Sequence, residues 1–205
     1  MKPFNHLALL TLITTLATWA GHAQELVGRE EAVRLAVRLN FDLSTLADCP
    51  IPTDADTKRP FAIKAGERGG MVVPESKLSA AGLEAAGKTV VPVGQFWMRK
   101  LAPAKAGQAP APGDLKIIRV EHQGQTEAVL LFTLGARRNA EGKLELLVFG
   151  KGPEPLVTTP LKAVETKQEW PLEFTAEKSD DSAVVTLKVA GKYQAAFTVL
   201  ECNAE

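Results

Sequence analysis

From Leu115 to Leu200 apolar side chains alternate with polar ones, and turn residues break the alternation at regular intervals. Trp170, Leu172, Phe174 and Ala176 alternate with Pro171, Glu173, Thr175 and Glu177. Tyr193, Ala195, Phe197 and Val199 alternate with Gln194, Ala196 and Thr198. Successive side chains on a strand point to opposite faces, so a period of two marks strands with one buried face. The breaks fall at Gln123-Gly124, Asn139 to Gly142, Ser179 to Ser182 and Ala190-Gly191, residue types that favour turns. The pattern predicts strands over Leu115 to His122, Glu127 to Leu134, Lys143 to Phe149, Leu156 to Val164, Trp170 to Glu177, Ala183 to Val189, and Tyr193 to Leu200. Ala128, Leu130, Phe132 and Leu134 share one face of the second of these and Val129 and Leu131 the other, which places it centrally. No helix-length periodicity interrupts the series. The expected fold is therefore all-β, an antiparallel sandwich or barrel-like assembly.

The N-terminal half reads less regularly. Glu25 to Leu46 has a loose helical match, with Glu30-Glu31 near its start and Ala32, Leu35, Ala36 and Leu39 on one side. Its match to a period of two is longer: Val33, Leu35, Val37, Leu39, Phe41 and Leu43 are apolar, with Arg34, Ala36, Arg38, Asn40, Asp42 and Ser44 between them. A long half-buried strand is the expectation. Cys49-Pro50-Ile51-Pro52 starts an irregular connection, because proline removes a ladder donor. Short strands follow at Phe61 to Lys64 and Met71 to Pro74. One short helix is expected over residues 79–86, with Ser79 as N-cap and Gly87 as the left-handed residue that ends it. Val90 to Leu101 reads as a strand with two apolar faces, where Pro92 and Gly94 imply an edge or a bend.

Residues 102–113 (Ala-Pro-Ala-Lys-Ala-Gly-Gln-Ala-Pro-Ala-Pro-Gly) carry no large apolar side chain and are expected to form a flexible loop. Residues 24–205 are then one β-rich domain with a long excursion. The alternative is a small β subdomain over 24–101 and a sandwich over 114–205.

The first 23 residues change this picture, because they read as a signal peptide rather than fold. Met1 and Lys2 give a positive start, Leu7 to Trp19 is uncharged, and Gly21-His22-Ala23 ends in small residues. The uncharged run is shorter than the ~20 residues of a membrane-spanning helix. Cleavage after Ala23 removes Lys2 and no acid, leaving 23 basic against 24 acidic residues in a chain that starts with 24 of each. That balance offers nothing to nucleic acid or an anionic membrane surface. The basic pair Arg137-Arg138 is expected in a hairpin turn. The chain is thus expected to be periplasmic or extracellular, without a membrane span once the signal is removed. In that compartment the two cysteines, Cys49 and Cys202, are expected to form a disulfide, worth about 5 kcal/mol in the chain-entropy model for so long a loop.

Candidate chemistry is sparse. The mature chain keeps one histidine, His122, at a strand end, with no Gly-x-Ser-x-Gly elbow to accompany it. Asp180-Asp181 sits in Lys178-Ser179-Asp180-Asp181-Ser182, the composition of a hairpin turn. Glu67-Arg68-Gly69-Gly70 lacks the spacing of a phosphate loop. No metal-ligand spacing and no cofactor motif is present, so no catalytic residue, metal or cofactor is assigned. The candidate binding residues are Gln95, Trp97 and Arg99, which share one strand face. An aromatic plate between an amide and a guanidinium suits a sugar or a peptide, and it also suits plain packing. Trp170 and Tyr193 fall at alternating core positions. The expected function is a non-enzymatic binding or structural role, with an envelope protein or polysaccharide as partner. The alternatives are a sandwich or barrel that carries a small apolar ligand between its sheets, and a hydrolase working through carboxylates.

Overall fold

The computed structural model describes residues 24–44, 49–122, 124–165, 167–179 and 182–203. The expected signal peptide and Asp180-Asp181 lie outside them. In chain order the elements are β1 (Glu25–Leu26), α1 (Arg29–Ser44), β2 (Phe61–Ala65), β3 (Arg68–Pro74), α2 (Ala80–Glu84), β4 (Val91–Arg99) and β5 (Leu101–Pro103). After a 3-10 turn at Pro112–Asp114 come β6 (Lys116–His122), β7 (Gln125–Arg138), β8 (Leu144–Phe149), β9 (Pro155–Pro160), β10 (Lys162–Ala163), β11 (Leu172–Ser179), β12 (Ser182–Val189) and β13 (Tyr193–Glu201).

Two antiparallel sheets pack face to face as an all-β sandwich. The first runs β1-β2-β3-β4-β7-β8-β9, with β6 also paired to β7; the second runs β10-β13-β12-β11, with β5 also paired to β13. β7 is central as its two apolar faces require, bonded to β4, β6 and β8. Its inward residues Leu130, Phe132 and Leu134 join Phe96 and Val148 against Leu172, Phe174, Leu187, Tyr193 and Phe197 of the second sheet. Phe174 anchors this core, 4.9 Å from Phe96 and 5.7 Å from Phe61 between ring centroids. Gly70 makes room for it: a Cβ there would lie 2.9 Å from the Phe174 ring. Trp170 stays outside the core, half-buried, with the Arg29 guanidinium 4.9 Å from its ring centroid.

The largest correction is at residues 29–44, which form helix α1 and not a strand. The fold therefore has two helices where at most one was expected. The segment carries both periods. Ala32, Ala36 and Leu39 make the buried stripe, each nearly inaccessible to solvent, while Leu35, Val37 and Phe41 of the alternating run remain exposed. Glu30 and Glu31 fall in the first turn, where the helix dipole favours acids. The two alanines let the helix backbone approach the outer face of the first sheet, against Met71, Trp97, Ile118 and Leu131.

Three smaller expectations also change. Helix α2 covers residues 80–84; Ser79 caps it by accepting from the Gly82 amide at 3.1 Å, but it ends at Ala85 in ordinary right-handed geometry rather than at a left-handed Gly87. The run from Val90 to Leu101 is cut at Lys100, whose φ of 59° turns the chain out of β4 and into β5 of the other sheet. The expected bend within β4 is a register shift between Pro92 and Gly94, and a Cβ on Gly94 would meet the Val73 carbonyl at 2.3 Å.

The first residues of the expected flexible loop are paired into the second sheet. Ala102 and Pro103 belong to β5, paired with Leu200 and Val199, and Ala102 is fully buried. Backbone ladder bonds seat this small residue without needing a large apolar side chain. Lys105 and Gln108 then close a tight turn through reciprocal backbone bonds, with Ala106 and Gly107 at positive φ. Arg137 and Arg138 likewise end β7 itself, and the Asn139 side chain organises the turn that follows, accepting from the Glu141 and Lys143 amides.

The cysteines are not bonded to each other. Cys49 packs with the cluster under α1, whereas Cys202 packs against the core between the sheets, so the first sheet stands between them. The disulfide expectation placed Cys49 just beyond a strand lying near β13. With that segment folded as a helix on the far face, the premise is lost.

Candidate functional site

The outer face of the first sheet carries Gln95, Trp97 and Arg99 in sequence along β4, as strand alternation demands. Met71 and Leu131 flank Trp97 on the neighbouring strands, and Val73 and Thr133 flank Gln95. Helix α1 and the segment after Cys49 cover this face. Gln95 is therefore fully buried and Trp97 nearly so, not presented to solvent as a plate. The Trp97 indole N–H donates to Gln95 Oε1 at 3.0 Å. Gln95 Nε2 in turn donates to Thr53 Oγ1 at 2.9 Å and Asn40 Oδ1 at 3.3 Å. Beside this chain the Thr133 hydroxyl is buried with no hydrogen-bond partner.

Toward Arg99 the helix and the sheet part. A groove of about 500 Å³ opens between α1 and strands β2, β3, β4, β6 and β7. Trp97 and Arg99 both line it, while Gln95 lies behind. Leu35, Leu39, Met71, Val120 and Val129 supply its apolar surface. On the helix, Glu31, Arg34, Leu35, Arg38 and Leu39 face it at spacings of three and four residues, one stripe of an α-helix. Of that stripe the helical match of the sequence held Leu35 and Leu39 and, near its start, Glu31; Arg34 and Arg38 were not part of it.

The rim is charged. Arg99 Nη2 sits 3.0 Å from Glu127 Oε1, both side chains partly buried. Lys64 meets Glu25 at 3.5 Å and Arg68 meets Glu201 at 2.8 Å, both acids lying outside the groove lining. Arg34 lies 3.9 Å from Glu30 with both side chains solvated, a contact worth little. Arg38 has no ion-pair or hydrogen-bond partner among the described residues.

The space between the sheets is filled by comparison. A pocket there, between Phe96, Phe174, Ile63 and Val185, holds about 50 Å³. Among the described residues no three His, Cys, Asp or Glu side chains converge as a metal set would. His122 ends β6, paired through its backbone with Gln125. Burial pushes the Glu75 carboxyl above its usual range, yet it faces the Asp54 amide at 2.8 Å and does not line the groove. No family model, curated protein or solved structure matches this chain.

Proposed function

We propose that this chain is an exported, non-enzymatic β-sandwich that binds a ligand in the groove beneath α1, in the cell envelope or the extracellular space. The observation that carries the reading is the contrast between the filled core and the open groove: about 50 Å³ between the sheets against about 500 Å³ under the helix. The larger volume falls within the roughly 300–1,000 Å³ of small-molecule sites. The reading moves the ligand from between the sheets to the outer face of one of them.

Export rests on the positive start, uncharged run and small-residue end of residues 1–23. The non-enzymatic part rests on how the nearby acids are used. Glu127 is paired with Arg99, and Glu75 is built into the backbone contact between Asp54 and β3.

Titration with a neutral apolar dye such as N-phenyl-1-naphthylamine tests the binding site. One saturable site is expected, weakened by Leu35→Glu, which places a charge on the groove wall. Val37→Glu, on the solvent side of α1 outside the groove, should leave it unchanged. Equal loss in both variants, or no saturable binding, counts against the reading. Export is tested separately by intact-mass analysis of secreted material, which should begin at Gln24.

A further inference from the structure

Resting on that groove, we infer its ligand class: an amphipathic anion, a single unbranched acyl chain ending in a carboxylate. The groove is walled on one side by a helix and floored by several strands, which suits an elongated guest. Its floor is apolar and includes a large aromatic, Trp97, and a thioether, Met71. Burial of a methylene on such a surface is worth about 0.8 kcal/mol, so a chain gains affinity with length.

The charges decide the head group. Five basic and three acidic side chains line the groove in a chain whose formal net charge is zero. Three of the bases are already engaged, Arg99 by Glu127 and Lys64 and Arg68 by acids beyond the lining. Arg38, and Arg34 beyond its solvated 3.9 Å contact with Glu30, remain one helical turn apart on α1, on either side of Leu35, with Glu31 and Glu121 as the other lining acids. A guanidinium offers a planar fork that matches a carboxylate, and two at this spacing can close on one head group. Glu31, the acid on the same wall, is two turns from Arg38, roughly 10 Å along the axis. The wall therefore has a cationic end at Arg38, and that end fixes the direction in which an acyl anion lies.

The test uses cis-parinaric acid and its methyl ester, which differ only in the head-group charge, with dodecylamine as a cationic competitor. The acid should bind at one site, about tenfold or more tighter than the ester, and the amine should compete poorly. Arg38→Gln should bring the acid down to the affinity of the ester and leave the ester unchanged, while Arg38→Lys restores part of the difference. Arg34→Gln gives a second reading should the first variant fold poorly. Equal binding of acid and ester overturns the anionic head while leaving the groove as a site. Failure of both probes overturns the groove itself. Light scattering that finds a dimer whose groove excludes both probes overturns the small-molecule occupant in favour of a second copy of the chain.

Discussion

Gln95 on β4 and Asn40 on α1 are joined through their side chains, amide nitrogen to carbonyl oxygen at 3.3 Å. They lie 55 residues apart in sequence, and the bond marks where the helix closes on the sheet. On one side of it the face is sealed by the Trp97–Gln95–Thr53 chain of hydrogen bonds; on the other it opens into the groove. Gln95 thus separates a buried polar row from the open groove.

Gln95→Ala follows directly. The truncation leaves the buried Trp97 N–H without its acceptor and removes two links to the cover. A buried donor left unsatisfied costs roughly 1–3 kcal/mol, with the lost packing added to it. Urea denaturation should show a loss of about 2–4 kcal/mol. Gln95→Glu should fare no better, since it keeps an acceptor for Trp97 but presents a second acceptor to Asn40 and buries a charge. A wild-type midpoint for either variant would mean that the helix does not seal this face.

Thr133 predicts a change in the opposite direction. Its hydroxyl is buried next to Gln95 without a partner, and valine has nearly the same shape. Thr133→Val should stabilise the protein by about 1 kcal/mol, because the desolvation cost disappears and the methyl groups pack. A destabilised variant would show that the hydroxyl has a role in the folded state.

The C-terminal strands were legible because one face of each is buried and the other wet, so the alternation survives in the residues. Phe174, Tyr193 and Phe197 all lie where that alternation puts them. At residues 29–44 two periods coincide, and counting matches favoured the wrong one. What decides between them is tertiary: Ala32 and Ala36 fit closely against the sheet, while Leu35, at the groove, is 37% exposed and Val37 and Phe41, outside it, are 51% and 70% exposed. Those exposed apolar residues extended the strand-like pattern. Nothing local to β4 tells which element covers Trp97, so packing and ligand contact were both open for it in the sequence. Arg38 had no signal at all, because its position depends on the helix.

The free cysteines carry their own test. Unreduced protein should have the mass of the dithiol form, and denatured protein should present both thiols to Ellman's reagent. In the native state Cys202 should react slowly, since burial pushes its thiol above the ordinary value of 9.0 and lowers the thiolate fraction at neutral pH. A non-reduced mass that shows an intramolecular bond would reverse the placement of Cys49 and Cys202 on opposite sides of the first sheet.

Glu75 makes stability depend on pH in a defined direction. Its carboxyl lies nearly inaccessible at the end of β3, and desolvation raises its pKa above the ordinary 4.5, with the nearby Asp54 charge acting in the same sense. The Asp54 amide, donating at 2.8 Å, pulls the other way without cancelling the burial. A group with a raised folded-state pKa binds more protons folded than unfolded. Its favourable contribution is complete below 4.5 and is lost as pH rises through the raised value. At neutral pH the ionised group is therefore a liability that glutamine avoids, while its amide oxygen still accepts from Asp54. Glu75→Gln should melt above wild type at pH 7, and the gap should close as pH falls below about 4.5. Melting curves of both proteins across pH 4 to 8 give the comparison. A gap that stays constant, or that widens on acidification, would mean that the Glu75 carboxylate is stabilised in the fold and that its contact with Asp54 outweighs its burial.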